Sequence, residues 1–523
     1  MSSNRILTSL LVSLTLTTVG AQDPIALPKL VVNITIDQLR TDYMEAFLPL
    51  YGENGFRKLL KEGRQYTNAQ YSSYKPDRAS AIASIATGTT PYGNGIVGQY
   101  WLNRNTLQPV YCVYDEEQKG TQKISPRNLI VSTISDELKI STEGKALVYS
   151  IAPYSDAAVL SAGHAADGVI WIDDKTGKWC SSLYYSSLPG WAQTRNEQEP
   201  LYQQLKRITW EPTNEMVGNF SYFLSGGVKK PFKHKFNGIE CVSDFKYSGL
   251  VNEEVSKMAQ ACLKNSLLGN DNITDYLSLT FYAGNYKKVS TNETSLELQD
   301  TYVRLDKALS DVFNAIDQQI GIDHSFIVIT STGYIPEEQT NPGKYQIPSG
   351  TFYINRTAAL LNMYLAAIYG QGQYIEANYN SELYFNYKLL EQKQLKLSEI
   401  LERSRDFLMQ TNGVKNAYTA DQLQQGEGIP GLNKLHNAYN PHCSGDLLIQ
   451  ITPGWHLVNE NTRLNKIIRE SYVPFPIIFL GSHIQPEIID TPVSTECIAP
   501  TLAKAIRIRA PNACSAKPIP GIH

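Results

Sequence analysis

The sequence predicts an α/β fold: a three-layer αβα sandwich with a mainly parallel central sheet and two large inserted cap regions. Two observations carry this. Strand-like and helix-like segments alternate through the first third of the chain, the rhythm of βαβ units. That rhythm stops twice, for long stretches rich in aromatic residues, Pro and Gly, and each time resumes with a new strand.

"KLVVNITID" (29–37) is an apolar run ending on an acid, so it reads as a buried strand with Asp37 at its carboxyl end, where open α/β sheets place their ligands. "GENGFRKLLKEG" (52–63) is a short helix with Phe56, Leu59 and Leu60 on one side. "DRASAIASIATG" (77–88) is a helix of small residues, able to lie very close to a sheet. "NLIVSTISDELK" (128–139) gives a further helix and "KALVYSIA" (145–152) a strand. "GVIWIDDKTGKW" (168–179) reads as a strand and a tight turn at Asp174–Gly177.

From about residue 181 to 270 no period is evident. The strand "DYLSLTFYAG" (275–284) restores it. A long helix from Ser295 to about Gln319 follows, with Leu296, Val303, Leu309, Val312, Phe313 and Ile316 in a helical stripe. "SFIVITST" (325–332) is the next strand. The second irregular stretch contains the amphipathic helix "KLSEILERSRDFLMQ" and the strand "SGDLLIQITPGW". "PFPIIFLG" and "ECIAPTLAKAIRI" return the chain to sheet and helix. The expected division is 1–21 signal peptide, 22–180 first part of the core, 181–270 inserted cap region, 271–334 second part of the core, 335–456 second cap region and 457–523 C-terminal part of the core.

The signal peptide reading rests on Arg5, the apolar run "ILTSLLVSLTL" and "VGA" before Gln22. That run is too short for a permanent span, and no later segment is long and apolar enough to be one. An exported protein of the periplasm or outer membrane is expected. An apolar fraction of 42% and a charged fraction of 19% are those of a packed globular chain. A formal charge of −3 argues against nucleic acid as a partner. The 32 Tyr, beside 15 Phe, offer an adhesive surface for an envelope protein partner. Oligomeric state is not legible. Seven scattered Cys, an odd number, leave at least one unpaired in a monomer and show no metal-ligand spacing.

Several segments, in order and spacing, resemble the alkaline phosphatase superfamily, in particular the Bacteroidetes monomeric alkaline phosphatases and the type I phosphodiesterase–nucleotide pyrophosphatases. They are "PKLVVNITIDQLRTDYM", "TGTTPYGNGIVGQYW", "SPRNLIVSTISDEL", "SAGHAADGVIWIDDKTGKW", "LQDTYVRLDKAL", "SGDLLIQI", "FPIIFLG" and "IAPTLAKAI". The resemblance implies the alkaline phosphatase-like sandwich. It also implies two Zn2+ held by three Asp and three His, with a Thr or Ser attacking phosphate between the metals.

Asp37 matches the first ligand. Elsewhere the resemblance places other residues at the family's functional positions. Asn285 and Val289 stand for an Asp and a His, Gly333 and Tyr334 for an Asp-His pair, and Asn465 falls closest to the last His. Cys497 stands for a supporting Asp. The nucleophile position is Ala79 or Ser80. Tyr154 and Asp156 stand where a Lys and an Arg grip phosphate, and Gln99 where an Asn does. Asp156 is expected to repel phosphate, and Asp37 to be held by backbone N–H groups of the turn after it. His164, in "SAGH", is expected to be structural. One carboxylate cannot balance two zinc ions. The expectation is therefore an exported pseudoenzyme without zinc, catalytic residue or activity, serving as a binding or scaffold protein in the cell envelope. Two alternatives stand beside it: a phospho- or sulfo-ester hydrolase with a remodelled site, in which Asp37, Ser80 and Tyr334 act, and a small-ligand receptor using the same cleft.

Overall fold

A computed structural model describes residues 26–214, 216–217, 231–288, 295–333, 349–470 and 473–522. The expected signal peptide, Val289 and Tyr334 lie outside the described residues.

Ten strands form the central sheet: β1 Leu30–Asp37, β2 Arg64–Gln70, β3 Val148–Ala152, β4 Gly168–Ile172, β5 Trp179–Cys180, β6 Asp275–Tyr282, β7 Ser325–Ser331, β8 Phe475–Gly481, β9 Glu487–Ile489 and β10 Val493–Ser494. Their spatial order is β9-β2-β8-β7-β1-β6-β3-β4-β5, with β10 also on β2. β1 lies at the centre, parallel to both neighbours, with Asp37 opposite Tyr282 on β6 and Ile36 opposite Ser331 on β7. The sheet is mixed, because β8 runs antiparallel between β7 and β2 and β5 folds back on β4.

Alternation along β1 sorts its side chains to two faces. Leu30, Val32, Ile34 and Ile36 join a core that includes the helices Leu250–Asn265 and Leu296–Gln319. Val31 faces the opposite core, built with the helices α1 Arg78–Thr87, α2 Ile134–Ser141 and α3 Ile498–Ala505. α1 has nine buried residues, all but its first, which the Ala- and Ser-rich sequence permits. The helix Leu250–Asn265 falls in the stretch read as lacking a period. Val251, Val255, Met258, Ala259, Cys262 and Leu263 are nevertheless buried at helical spacing, so part of that stretch belongs to the core layer.

Between β7 and β8 the chain builds its own core around the helix Ile354–Tyr369, with a four-stranded and a three-stranded sheet. Arg104, on the core's turn after Tyr100–Asn103, meets this part in a two-pronged ion pair with Asp446, at 2.7 and 3.0 Å. All seven cysteines are free thiols. No helix of the described residues is long and apolar enough to cross a membrane.

Candidate active site

Three elements meet at the carboxyl end of β1. β1 delivers Asp37, the start of α1 delivers Arg78, and the start of the helix Ser155–Ala162 delivers Tyr154 and Asp156. Asp37 is 5% exposed. The Thr332 hydroxyl donates to its Oδ1 at 2.6 Å, and Arg78 Nη1 stands 3.5 Å from its Oδ2. The expected backbone cap is thus replaced by a hydroxyl and a guanidinium. Burial pushes the Asp37 carboxyl above its ordinary range, against the pull of Arg78 and Thr332. The next residue, Gln38, has φ of 65°, a left-handed conformation uncommon for a non-glycine residue, as the strand turns sharply at the acid.

Arg78 organises the cluster. Its Nε and Nη2 reach Asp156 at 3.2 and 2.9 Å, and its guanidinium lies 3.7 Å over the Tyr154 ring. Asp156 is fully buried and also accepts from Gln99 Nε2 at 2.7 Å and from the Ala157 N–H at 2.7 Å. It sits in the first turn of its helix, where a negative charge is favoured. Buried Lys246 stands 5.1 Å from the Tyr154 ring and pairs with Asp174 at 2.7 Å. The Tyr154 hydroxyl is buried without a hydrogen-bond partner among the described residues.

Of the positions singled out in sequence, the fold gathers Asp37, Gln99, Tyr154 and Asp156 around one cation. Asn285 and Gly333 flank the cleft at the ends of β6 and β7. Asn285 O accepts from the Tyr282 hydroxyl at 2.6 Å, and Gly333 turns the chain at φ 83°. Ser80 is 1% exposed and completes a capping box with Asp77, its Oγ 3.0 Å from Asp77 Oδ1. Its hydroxyl belongs to the helix start, not to the group around Asp37. Asn465 lies exposed on the hairpin of strands His456–Asn459 and Leu464–Ile467, bonded to His456 at 3.0 Å. Cys497 is preceded by a buried acid, Glu496, which accepts from the Ser72 N–H at 3.2 Å.

Sequence reasoning passed over Arg78, Thr332 and Lys246. For Arg78 a signal exists: it is the first residue after Asp77, the N-cap of the D-x-x-S capping box. Nothing local marks Lys246. The repulsion expected from Asp156 is corrected by the same geometry, since the guanidinium of Arg78 neutralises it.

The described donors about Asp37 are engaged within the protein. Asp37 and Asp156 spend their oxygens on Thr332, Arg78, Gln99 and Ala157, and a guanidinium occupies the space between the two acids. Among the described residues no three His, Cys, Asp or Glu side chains converge as metal ligands.

Comparison with known proteins places the chain. Alkaline phosphatase PafA of Elizabethkingia meningoseptica is 28% identical over 527 residues, covering 96% of this chain and 96% of its own. Alkaline phosphatase PhoV of Synechococcus elongatus is 29% identical, covering 95% of this chain and 93% of its own. The crystal structure of wild-type PafA superposes with a TM-score of 0.83 at 26% identity, covering 96% of this chain and all of that one. These findings correct the expectation of a zinc-free pseudoenzyme scaffold. Proteins named alkaline phosphatases match the chain almost end to end, and nothing in the comparisons marks activity or a metal centre as lost. The model of the type I phosphodiesterase / nucleotide pyrophosphatase family matches residues 31–470. The chain therefore belongs to that family, within the alkaline phosphatase superfamily.

Proposed function

We infer that the chain is a hydrolase of phosphate esters that works in the remodelled cleft at the carboxyl end of β1. The observation that supports this most is the extent of the likeness: an alkaline phosphatase aligns with 96% of the chain, so the insertions around the cleft are matched as well as the sheet beneath it.

In this reading Arg78 meets the phosphate oxygens, because a planar guanidinium suits a tetrahedral oxyanion and keeps its charge at any working pH. Gln99 and Asp156 hold Arg78 in place. Asp37, oriented by Thr332, takes a proton from the attacking water, a role that a carboxylate of raised pKa performs better than an ordinary one. The new P–O bond forms to the water oxygen as the bond to the leaving alcohol breaks, and solvent protonates the leaving oxygen. The leader-like N-terminus supports a periplasmic or outer-membrane setting.

The test is a panel of 4-nitrophenyl phosphate, bis(4-nitrophenyl) phosphate and 4-nitrophenyl sulfate, each assayed with added Zn2+, Mg2+ or Mn2+. Turnover of a phosphate ester ahead of the sulfate, lowered at least a hundredfold in Arg78→Ala, is the expected result. A purified, folded chain inert to both phosphate esters sinks the reading.

A further inference from the structure

After α3 the described chain adds no further helix or strand, yet its tail is packed down. Ile519 and Ile522 are buried in the core that α1 and α3 share. The Ile519 N–H donates to Thr501 Oγ1 at 2.8 Å, and the Gly521 carbonyl accepts from Arg64 Nη1 at 2.8 Å. Between these anchors, the Ser515 and Ala516 N–H groups both donate to the Gly88 carbonyl, at 3.2 and 3.4 Å. The tail therefore crosses the carboxyl end of α1 beside the amino end of α3.

Two thiols share this crossing. Cys514 lies on the tail and Cys497 is the N-cap of α3, each of them half-buried. Gly88, the C-cap of α1, has φ of 68°, and its lack of a side chain leaves room for a sulfur. The point where a β-carbon would stand lies 2.6 Å from Cys514 Sγ, 3.3 Å from the Glu496 carbonyl oxygen and 3.2 Å from Pro500 Cδ. The Cys514 sulfur is therefore no more than about 6 Å from either of those two atoms. Cys497 follows Glu496 directly and occupies the same turn of chain. The pair also interacts electrically: burial pushes the Cys497 thiol up to about 11, and Glu496 and Cys514 push it the same way. Disulfide-linked residues hold their Cα atoms about 4.4–6.8 Å apart, which is the scale of this crossing.

We propose that Cys497 and Cys514 are a disulfide-forming pair, which fastens the C-terminal tail to the start of α3 on meeting a disulfide oxidant of the glutathione class. One cysteine thiolate attacks a sulfur of the oxidant and expels a thiolate, leaving a mixed disulfide. The other cysteine thiolate attacks the protein sulfur of that mixed disulfide and expels the second. The two cysteines lose two electrons and two protons, and the oxidant leaves as two thiols. Such oxidants are present where exported chains fold. The bridge restricts the unfolded chain by closing a short loop, so it stabilises the fold. It involves neither Arg78 nor Asp37 and does not depend on the hydrolase reading.

Thiol mapping tests it. The native chain is held with oxidised glutathione at mildly alkaline pH, because raised thiol pKa values leave little thiolate at neutrality. It is then denatured in excess iodoacetamide and digested without reduction. Expected are two fewer alkylations than in the reduced chain, a linked peptide pair carrying Cys497 and Cys514, and a melting temperature several degrees above that of the reduced chain. In Cys497→Ser and in Cys514→Ser the linked pair is missing and the melting shift vanishes. Mapping of the parent decides the matter without either variant. Full alkylation of both cysteines after oxidation, a linked pair joining either of them to a different cysteine, or an undiminished melting shift in Cys497→Ser each overturns the proposal.

Discussion

Arg78 and Asp156 form a buried two-pronged pair, with the guanidinium Nε and Nη2 at 3.2 and 2.9 Å from the two carboxylate oxygens. The same cation reaches Asp37 at 3.5 Å. One positive charge therefore serves two acids on different elements, and it ties the start of α1 to the carboxyl edge of the sheet.

Removing that charge has a predictable cost. Arg78→Met leaves both carboxylates buried without a cation, and breaking a buried pair in this way costs about 3–5 kcal/mol. The sign with pH follows. Burial raises the Asp37 carboxyl and Arg78 pulls it down, so without Arg78 that carboxyl rises further in the folded state and its protonated form favours folding. The deficit should shrink as pH falls and grow towards pH 8. Urea unfolding of parent and variant at pH 5 and pH 8 measures this; a deficit independent of pH would show that the acids have another partner.

Ser80 separates the helix-start role from a nucleophilic one. Its hydroxyl completes the Asp77 capping box, and losing such a hydrogen bond costs about 1 kcal/mol. Ser80→Ala should unfold at slightly lower urea and hydrolyse 4-nitrophenyl phosphate within about threefold of the parent rate. A fall of a thousandfold at unchanged fold would make Ser80 the nucleophile.

His164 carries a pH signature of its own. Its Nδ1 lies 2.9 Å from Asp136 and its Nε2 3.0 Å from the Leu129 carbonyl, an arrangement in which both ring nitrogens donate when the imidazolium forms. Burial works against the charge, but the bond and charge of Asp136 outweigh it and hold His164 above its ordinary 6.5. Burial likewise raises Asp136, and His164 with the backbone donors outweighs it, leaving that acid below its ordinary 3.8. A raised histidine stabilises fully below its unfolded pKa and loses the effect as pH rises through the folded one. A lowered acid stabilises above its unfolded pKa and loses the effect as pH falls through the folded one. The pair should therefore contribute most between about pH 4 and 6.5. The melting temperature of His164→Gln should fall furthest below the parent near pH 5.5 and approach it above pH 8; a constant gap across that range would mean the ring is neutral throughout.

Much of the fold was legible because its signals are local. The run from Leu30 to Ile36 is apolar enough to read as a central strand, and the stripe from Leu296 to Ile316 as a helix, with Ser295 capping it in the structure. The site was less legible because its decisive partners are remote in sequence. Asp156 reads as a repelling charge until the fold brings Arg78 onto it from 78 positions earlier. Thr332 looks like the end of a strand until its hydroxyl meets Asp37, 295 positions away. Matching residue types position by position does not register a partner supplied from a remote element, as Arg78 is to Asp156, and the pseudoenzyme expectation rests on such matching.

The proposed hydrolysis rests on Asp37 as a working group, in its setting of Thr332 and Arg78. Asp37→Asn keeps the shape of the side chain and an oxygen for Thr332, so the variant should melt within a few degrees of the parent. The decisive measurement is kcat/KM for 4-nitrophenyl phosphate in the two proteins. Measurable turnover by the parent and a loss of at least a hundredfold in the variant are expected; equal rates, or a folded parent with no turnover, would contradict a working role for Asp37.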